Sequence, residues 1–356
     1  MTFGLDMSIK VFDFFSGCGG TSCGFESAGM EIALGLDLDS DSAKTFQKNF
    51  PEAEFILGDI RDIHTNALAN SVGNREVPLL FCGCAPCQPF SRQNQTTDSS
   101  DSRRNLLSEF ARFVKAWLPE YVFIENVPGM QKIAVDNVGP LPSFLKLLKK
   151  LGYSYESRVI PASHFGVPQK RERFVLLASR IGKIDLPVAT HGPLGKPFST
   201  VRDWINGLPE LNAGERSKKD PDHVAAKLSD LNLHRIRNTP EGGGRNDWPK
   251  SLWLDCHKSH IGHSDVYGRL SWDKPASGLT TKCISYSNGR FGHPNQDRAI
   301  SVREAACLQT FPRKYKFYGQ LQSKARQIGN AVPPLMAKAV GRQVIKHLKE
   351  MQKQVS

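Results

Sequence analysis

Residues 9–20 read Ile-Lys-Val-Phe-Asp-Phe-Phe-Ser-Gly-Cys-Gly-Gly, and this stretch decides the fold that we expect. The apolar run 9–15 predicts a buried strand, and the run 16–20 predicts a tight glycine turn that leads into a helix. This order places backbone N–H groups at the carboxyl edge of a sheet, where open α/β sheets bind ligands. The stretch therefore predicts a site for a nucleoside-containing ligand. NAD, FAD and nucleotide sugars bind to similar turns, and a turn without any ligand is the alternative.

Short apolar runs alternate with helical patterns along the first half of the chain. Strands are predicted at 32–36, 79–82, 121–124 and 173–178, and helices at 42–50, 106–118 and 141–151. This alternation predicts a mostly parallel sheet covered on both faces, which is a Rossmann-like α/β fold.

The composition changes after about residue 179. Residues 186–300 are rich in Gly, Pro, Asn, Asp, His and Trp and have poor helical periodicity, so we expect a smaller, loop-rich second domain. The predicted division is 1–185, 186–320 and a C-terminal segment, 321–356, in which regular periodicity returns.

Charge is divided unequally along the chain. The 356 residues include 47 Lys+Arg and 35 Asp+Glu, a net charge of +12, yet residues 1–60 hold 3 basic and 10 acidic residues. That region carries −7, which leaves +19 for the rest. A basic surface attracts nucleic-acid phosphates, while an acidic membrane surface or no such partner at all are the alternatives. No apolar run of about 18 residues predicts a membrane span, and no secretory signal begins the chain, so we expect a cytoplasmic protein.

The eight cysteines predict a reducing environment rather than a disulfide scaffold, because the chain is long and lacks a secretory signal. Cys84 and Cys87 have C-x-x-C spacing, but no second pair completes a structural zinc site. Cys256 and the histidines that follow it have weak spacing for a metal. We therefore expect no metal site.

Four further motifs follow the glycine turn. They are CGCAPCQPFS at 82–91, IENVPG at 124–129, PQKRER at 168–173 and QIGNAVP at 327–333. Together with DFFSGCGG at 13–20, they resemble the ordered motifs of the DNA (cytosine-5)-methyltransferases. The resemblance covers about residues 11–344, except a variable stretch near 186–265. It implies a Rossmann-like S-adenosylmethionine-dependent methyltransferase domain at 1–185 and a smaller target-recognition domain at 186–320. It also implies that the last helix, within 321–356, returns to pack on the first domain. It also implies methyl transfer to C5 of a flipped-out cytosine in a short, specific double-stranded DNA sequence.

Four residues are candidates for the chemistry. Cytosine C5 is a poor nucleophile, and a thiolate that adds to C6 makes C5 enamine-like; Cys87, between two prolines, is the candidate for that bond. Glu125, at the end of a predicted strand, is expected to bind N3 and the exocyclic amine. Arg171 and Arg173 are two residues apart on a predicted strand and so are expected to share one face; the resemblance implies that they support the cytosine site. The alternatives are a structural cysteine, a polar strand-end pair and surface salt bridges with Glu172.

The resemblance further implies a set of residues that bind S-adenosylmethionine, with S-adenosylhomocysteine as the product. The set comprises Phe15, Gly17, Gly19, Asp37, Leu38, Asp59, Ile60, Pro86, Leu106, Asn330 and Ala331. In this comparison Phe15 packs on adenine, Asp37 binds the ribose and Asp59 binds the adenine amine. Leu38 departs from members that have an aromatic residue there, and Ala331 replaces a hydroxyl. The acidic residues at 13, 37, 39 and 59 favour a cationic sulfonium over a pyrophosphate.

Six residues are candidate contacts to DNA: Ser91, Arg103, Gln169, Arg245, Thr281 and Arg290. The long polar segment 88–104 is interpreted as a lid over the target base, in which Ser91 and Arg103 contact phosphates. Side chains of the loop-rich domain are expected to read base edges or to hold phosphates.

The expected partner is double-stranded DNA, and we expect a monomer without an obligate protein partner. By analogy, the chain is a bacterial or phage enzyme that is associated with the nucleoid and with a restriction–modification system. Cytosine-5 methylation of tRNA and a DNA-binding relative without catalysis remain alternatives. An NAD dehydrogenase would leave Cys87 and residues 169–173 unexplained.

Overall fold

The computed structural model describes residues 8–85, 106–133, 139–255 and 265–355. The chain divides into two compact units. Unit 1 comprises Met1–Pro161, Glu172–Ala189 and Val332–Ser356, and unit 2 comprises Ala162–Arg171 and Thr190–Ala331. These units are defined by compactness. The functional division into 1–185, 186–320 and 321–356 stays a prediction.

A seven-stranded sheet forms the centre of unit 1. In chain order, its strands are β1 (Lys10–Phe14), β2 (Glu31–Asp37), β3 (Glu54–Leu57), β4 (Leu79–Gly83), β5 (Tyr121–Asn126), β6 (Ser154–Pro161) and β8 (Glu172–Ser179), while β7 (Gln169–Lys170) belongs to unit 2. The spatial order is β3-β2-β1-β4-β5-β8-β6. The first five strands pair in parallel, and β8 runs antiparallel to both β5 and β6. This sheet confirms the predicted Rossmann-like α/β fold.

Five helices of unit 1 connect the strands or lie between them, and a sixth ends the chain. They are α1 (Gly20–Glu26), α2 (Ser40–Asn49), α3 (Ala69–Val72), α4 (Leu106–Trp117), α5 (Pro140–Lys150) and the C-terminal α10 (Pro334–Val355). The start of α2 illustrates the local cause, because the Asp39 side chain caps the helix by accepting a 2.9 Å hydrogen bond from the Ser42 N–H. The helix ends just before Pro51, which cannot continue it.

Alternation along β1 separates the core from a buried polar site. Phe12 and Phe14 point to the face covered by α4, where the Phe14 ring lies 5.2 Å from Phe110 and 5.0 Å from Phe113. Asp13 points to the opposite face, where it meets Ser22 of α1. A Cβ on Gly24 would lie 2.4 Å from the Pro334 carbonyl oxygen, so glycine permits the close packing of α10 on α1.

Unit 2 has few regular elements. Its helices are α6 (Val201–Ile205), α7 (Asp230–Arg237), α8 (Val302–Leu308) and α9 (Leu321–Asn330), and β7 pairs in parallel with β9 (Ala276–Ser277). Buried ion pairs stabilise the loops: Arg298 and Glu304 lie 2.7 Å apart with almost no exposed surface. The Arg269 guanidinium donates to the backbone carbonyls of Ile236, Thr239 and His293.

Among the described residues, we find no helix that combines the length and the apolar character needed to cross a membrane. That same part of the chain also holds no group of three or more His, Cys, Asp or Glu side chains placed to bind a metal ion.

Candidate active site

The glycine turn and the end of β2 form one hydrogen-bonded unit at the carboxyl edge of the sheet. Asp37 Oδ2 accepts a 2.8 Å hydrogen bond from the Gly17 N–H, and its Oδ1 accepts one of 2.9 Å from the Asp39 N–H. Gly17 has φ +52°, and among the described residues no atom outside its own chain neighbours lies within 4 Å of the place where a Cβ would project. Gly19 has φ +84° and begins α1. The Asp37 carboxylate is therefore fixed beside open space.

This arrangement fits a nucleoside. Burial raises the pKa of Asp37, and the backbone N–H bonds from Asp39 and Gly17 oppose that rise by stabilising the carboxylate. Each carboxylate oxygen accepts one backbone hydrogen bond and has a further lone pair for a ribose hydroxyl. Phe15 follows directly in a left-handed conformation, with φ 59°, and packs half-buried against the core.

Two of the four acidic residues that favoured a cationic ligand are engaged inside the protein. Asp13 is fully buried beneath α1, where it accepts a hydrogen bond of 2.6 Å from Ser22, and burial raises its pKa to about 7. Asp59 is paired with the Arg61 guanidinium, whose hydrogen bond lowers the pKa of Asp59. A count of charges along the sequence could not detect burial or local pairing.

The remaining predicted cofactor residues differ in accessibility. Leu38 is 68% exposed, whereas Ile60 and Leu106 are buried in the core cluster next to β1. In unit 2, Asn330 is the exposed last residue of α9, and Ala331 is buried directly after it. Pro86 lies outside the described residues, together with Cys87, Ser91 and Arg103.

Glu125 lies near the carboxyl end of β5 and faces Arg173 of the neighbouring strand β8. Arg173 Nε lies 2.7 Å from Glu125 Oε1, and the two side chains are 14% and 6% exposed. The contact is an ion pair without an aligned hydrogen bond to that oxygen. Glu125 is thus held in place while Oε1 keeps its capacity to take part in a hydrogen bond.

Asn126 holds the turn that leads toward Cys87. Its Nδ2 donates a 3.1 Å hydrogen bond to the Ala85 carbonyl, and its Oδ1 accepts one of 2.9 Å from the Val127 N–H. The end of β5 therefore fixes the backbone two residues before the predicted nucleophile. Burial raises the pKa values of Cys82 and Cys84 well above their ordinary range, so neither thiol is suited to act as a nucleophile.

The prediction that Arg171 and Arg173 share the face of one strand is wrong. The chain leaves β7 at Lys170 and begins β8 at Glu172, so Arg171 lies between strands of two different sheets. Arg171 is 6% exposed and its guanidinium donates to the carbonyls of Leu279, Gly329 and Ala331, at 2.7, 3.1 and 3.5 Å. It stabilises the backbone on both sides of Asn330 and near Thr281.

Three of the predicted DNA contacts are used inside unit 2. Gln169 is fully buried, donating to the Leu308 carbonyl at 3.0 Å and accepting from the Leu279 N–H at 3.1 Å. Arg245 is buried in a short 3₁₀ turn, Arg245–Asp247. Arg290 donates to the carbonyls of Gly242 and Gly243 at 2.7 and 2.6 Å. Thr281 is exposed. Contact of Gln169 or Arg245 with DNA stays a prediction, and it requires a change of conformation.

Gln309 is a positioning residue that the sequence reasoning missed. It is fully buried, accepts a hydrogen bond from Gln169 Nε2 and donates one to the Ala331 carbonyl, both at 2.5 Å. It therefore links the motif at 168–173 to the motif at 327–333, which are far apart in sequence. The available signal was a polar residue directly after the apolar run Ala305–Leu308 in the predicted helical stretch 301–309.

Comparison with known proteins tests the family resemblance. The model of one family, described as "C-5 cytosine-specific DNA methylase", matches residues 9–346. The chain belongs to this family. The methylase is 39% identical to the Type II methylase M.HgiDII of Herpetosiphon aurantiacus over 344 residues, which cover 95% of each chain. It is 34% identical to the Type II methyltransferase M1.HphI of Haemophilus parahaemolyticus, over 96% of this chain and 87% of the relative.

Solved structures show the same fold. A protein encoded within a prophage of E. coli matches 96% of the methylase with a TM-score of 0.74 at 23% identity, covering 99% of its own chain. The S. pombe Dnmt2 methyltransferase matches 97% of the methylase with a TM-score of 0.64 at 16% identity, again over 99% of its own chain. The family resemblance stated from the motifs is confirmed, and the methylase is an enzyme of DNA cytosine-5 methylation.

Proposed function

We propose that the methylase transfers a methyl group from S-adenosylmethionine to C5 of a cytosine rotated out of duplex DNA, with Cys87 bound covalently to C6 during the reaction. The observation that carries this proposal is the Glu125–Arg173 pair, 2.7 Å apart and buried at the carboxyl edge of the sheet. Cys87 follows the neighbouring strand β4 by four residues, and Asn126 fixes the Ala85 carbonyl that precedes it.

The protein side of the reaction begins with the Cys87 thiolate. Its sulfur forms a bond to C6, the C5=C6 double bond opens, and the electron pair makes C5 nucleophilic while negative charge develops at N3. The Glu125 carboxyl group binds N3 and the exocyclic amine, and a proton shared between the carboxyl group and N3 stabilises that charge. After C5 has accepted the methyl group, loss of the C5 proton and departure of the Cys87 sulfur restore the aromatic ring as 5-methylcytosine.

Arg173 is the residue that orients Glu125. The ion pair keeps the carboxyl group directed from the end of β5, and an arginine fork restricts its rotation more than a lysine would. Arg171 supports unit 2 through three carbonyls, so we assign it a positioning role rather than contact with the base.

The methyl donor is a family expectation that the glycine turn supports. Within unit 1, Gly17, Gly19 and Asp37 would hold its ribose, and Phe15, Ile60 and Leu106 its adenine. When bound, S-adenosylmethionine supplies an electrophilic methyl carbon on a positively charged sulfur. The fixed Asp37 carboxylate adds the favourable charge that the cationic donor needs.

Duplex DNA is the proposed substrate, because the family and the Type II relatives are named for DNA. By the same analogy we propose a place in a restriction–modification system, and a monomer that acts in the cytoplasm. No damage is found at Cys87, Glu125 or Arg171 in the sequence, which disfavours an inactive relative.

The test is methyl transfer by the purified chain from labelled S-adenosylmethionine to genomic duplex DNA and, in parallel, to tRNA. Label in the DNA, recovered as 5-methylcytosine, is the expected result. Label in tRNA alone would overturn the proposal in favour of the RNA substrate. Transfer to adenine in DNA would overturn the role of Glu125 at cytosine N3.

A further inference from the structure

The C-terminal helix α10 has two sharply different faces. Met336, Val340, Val344 and Leu348 are at most 2% exposed and form the face that packs into unit 1. The basic residues follow one another at intervals of four, four, three and four positions, which places them on the face opposite this apolar one. We call the following set the α10 stripe: Lys338, Arg342, Lys346, Lys349 and Lys353.

The α10 stripe is little neutralised. Glu350 is the only acidic residue of α10, and its contact with Lys346 Nζ is 3.8 Å long between side chains that are 53% and 69% exposed. An ion pair that is exposed to this degree stabilises the protein little and is screened by salt. Within the described parts of the chain, no ion pair involves the other four residues of the stripe. The helix therefore presents a net charge of +4 to solvent.

The C-terminal half of the α10 stripe, Lys346 to Lys353, lies at the edge of the sheet opposite the catalytic edge. Tyr121, the first residue of β5, places its hydroxyl 2.9 Å from His347 Nδ1. Glu125 is four residues further along β5, or about 13 Å at the rise of an extended strand. A Cβ on Gly182, which follows β8, would lie 2.4 Å from Met351 Sδ. His347 and Met351, which make these two contacts, lie between Lys346 and Lys353 in sequence. Lys346, Lys349 and Lys353 therefore share that edge.

We propose that the α10 stripe binds the phosphate backbone of a second segment of duplex DNA, separate from the segment that presents the target cytosine. The stripe spans 15 helical rises, about 22 Å, which matches about six base-pair steps of 3.4 Å. Four of its five members are lysines, which are flexible point charges suited to phosphates, and it holds no carboxylate or amide that would read bases, so we expect the binding to be largely independent of sequence.

An anionic membrane is the other polyanionic surface that fits lysines, and the burial pattern disfavours it. A helix that lies in a membrane interface needs exposed apolar side chains on the face it inserts. Large hydrophobic side chains with high exposure occur at Leu38, Leu57 and other described positions, but none of those found lies in α10. The proposal deepens the function proposed above, since it names a further DNA surface of the same enzyme.

A second duplex contact has a direct consequence for long DNA. Once one segment is held by the α10 stripe, the neighbouring segments of the same molecule are at a high effective concentration near the catalytic edge. A short duplex that contains only the target occupies a single segment and gains nothing. The stripe therefore accelerates methylation of long DNA and leaves the reaction on short duplexes unchanged.

The test compares two variants with the same change of net charge. In the stripe variant, Lys346→Glu, Lys349→Glu and Lys353→Glu are combined. Binding to a 30-base-pair duplex of random sequence is measured by fluorescence anisotropy at several salt concentrations, without a methyl donor. Three lost phosphate contacts reduce the slope of log K against log salt by about 2.7, at about 0.9 per contact.

The matched control carries Lys44→Glu, Lys48→Glu and Lys115→Glu, at exposed positions on α2 and α4. Its slope is expected to stay within about 1 of the wild-type slope. A variant with Gln at positions 346, 349 and 353 separates lost contacts from added repulsion and is expected to lower the slope by the same 2.7. Circular dichroism of all three variants verifies that they are folded.

Equal slopes for the stripe variant and the control would overturn the proposal, because net charge alone would then explain the effect. So would a loss of binding to anionic vesicles or to single-stranded RNA without any change for duplex DNA. If the stripe variant lost methylation equally on a short and a long target DNA, the stripe would bind the target segment itself. That result would overturn the proposal of a separate second segment. The binding assay involves no methyl transfer, so failure of the Cys87 mechanism would leave its result intact.

Discussion

The buried carboxyl group of Asp13 gives the methylase a stability that depends on pH. Asp13 is fully buried between β1 and α1, where Ser22 donates its hydroxyl to Oδ2 and Oδ1 has no hydrogen-bond partner. Burial disfavours the charged form and raises the pKa to about 7 from an ordinary value of 3.8. The folded chain therefore binds one more proton than the unfolded chain between about pH 4 and pH 7.

The sign and size of the effect follow from this difference. A group that holds its proton only in the folded state stabilises folding at low pH, and this contribution is lost as the pH rises toward the folded-state pKa. The difference between 3.8 and about 7 amounts to about 4 kcal/mol at 1.36 kcal/mol per pKa unit. Asp13→Asn retains an acceptor for Ser22 but cannot ionise, so it is expected to gain about 4 kcal/mol relative to wild type between pH 4 and pH 8.

The assay is urea unfolding at a series of pH values from 4.5 to 8 for the wild type, Asp13→Asn and the control Asp62→Asn, at an exposed position. The stability difference between Asp13→Asn and wild type should grow with pH and level off above pH 8. The control should follow the wild type throughout. A constant difference, or one that shrinks as the pH rises, would refute the reasoning that Asp13 is protonated in the folded state.

Three further variants each test a contact that lies within one unit. Glu125→Gln keeps the shape of the side chain but donates no proton, so kcat should fall by about 10²- to 10⁴-fold while calorimetry shows unchanged donor binding; retained kcat would exclude Glu125 as the acid. Arg298→Met leaves Glu304 as an unpaired buried charge and should cost about 3–5 kcal/mol in urea unfolding, whereas a loss under 1 kcal/mol would contradict the buried pair. Gln309→Leu leaves the Ala331 carbonyl without this donor and should raise the KM for the methyl donor more than the KM for DNA, with Gln309→Glu failing to rescue it; equal changes would indicate a purely structural role.

The central strands could be predicted from the sequence, because both of their faces are covered. β1, β4 and β5 are buried along nearly their whole length and therefore appear as mainly apolar runs, with Asp13 the interruption inside β1 and Glu125 and Asn126 at the end of β5. The edge strands β3 and β6 were missed, since most of their residues are half-exposed and polar residues interrupt the pattern. The antiparallel direction of β8 also has no signal in a short apolar run.

The candidate site was predictable where a residue follows a strand and unpredictable where its partner comes from a distant segment. Glu125 and Asp37 stand at the ends of apolar runs, so the carboxyl edge could be inferred for both. Arg171 binds carbonyls of Leu279 and Gly329, more than 100 residues further along the chain, and local spacing holds no information about them. The i, i+2 argument was wrong because the backbone leaves one sheet at that residue.

The roles of the arginines in unit 2 could not be predicted from composition either. Arg290 and Arg269 occur among glycines and polar residues, a composition that is typical of DNA-reading loops. In the structure their guanidinium groups bind backbone carbonyls, because a domain with few regular elements leaves many carbonyls to satisfy. Composition indicated where the loops are, but it could not distinguish arginines that support loops from arginines that contact DNA.

The most direct test of the central claim is bisulfite sequencing of DNA from cells that lack cytosine methylation of their own. The cells express the wild type, Cys87→Ser or the control Cys84→Ser, which alters the half-buried thiol three residues earlier. Our account predicts 5-methylcytosine at one short recurring sequence with the wild type and with Cys84→Ser, and none with Cys87→Ser. The same methylation pattern from Cys87→Ser would contradict the covalent mechanism.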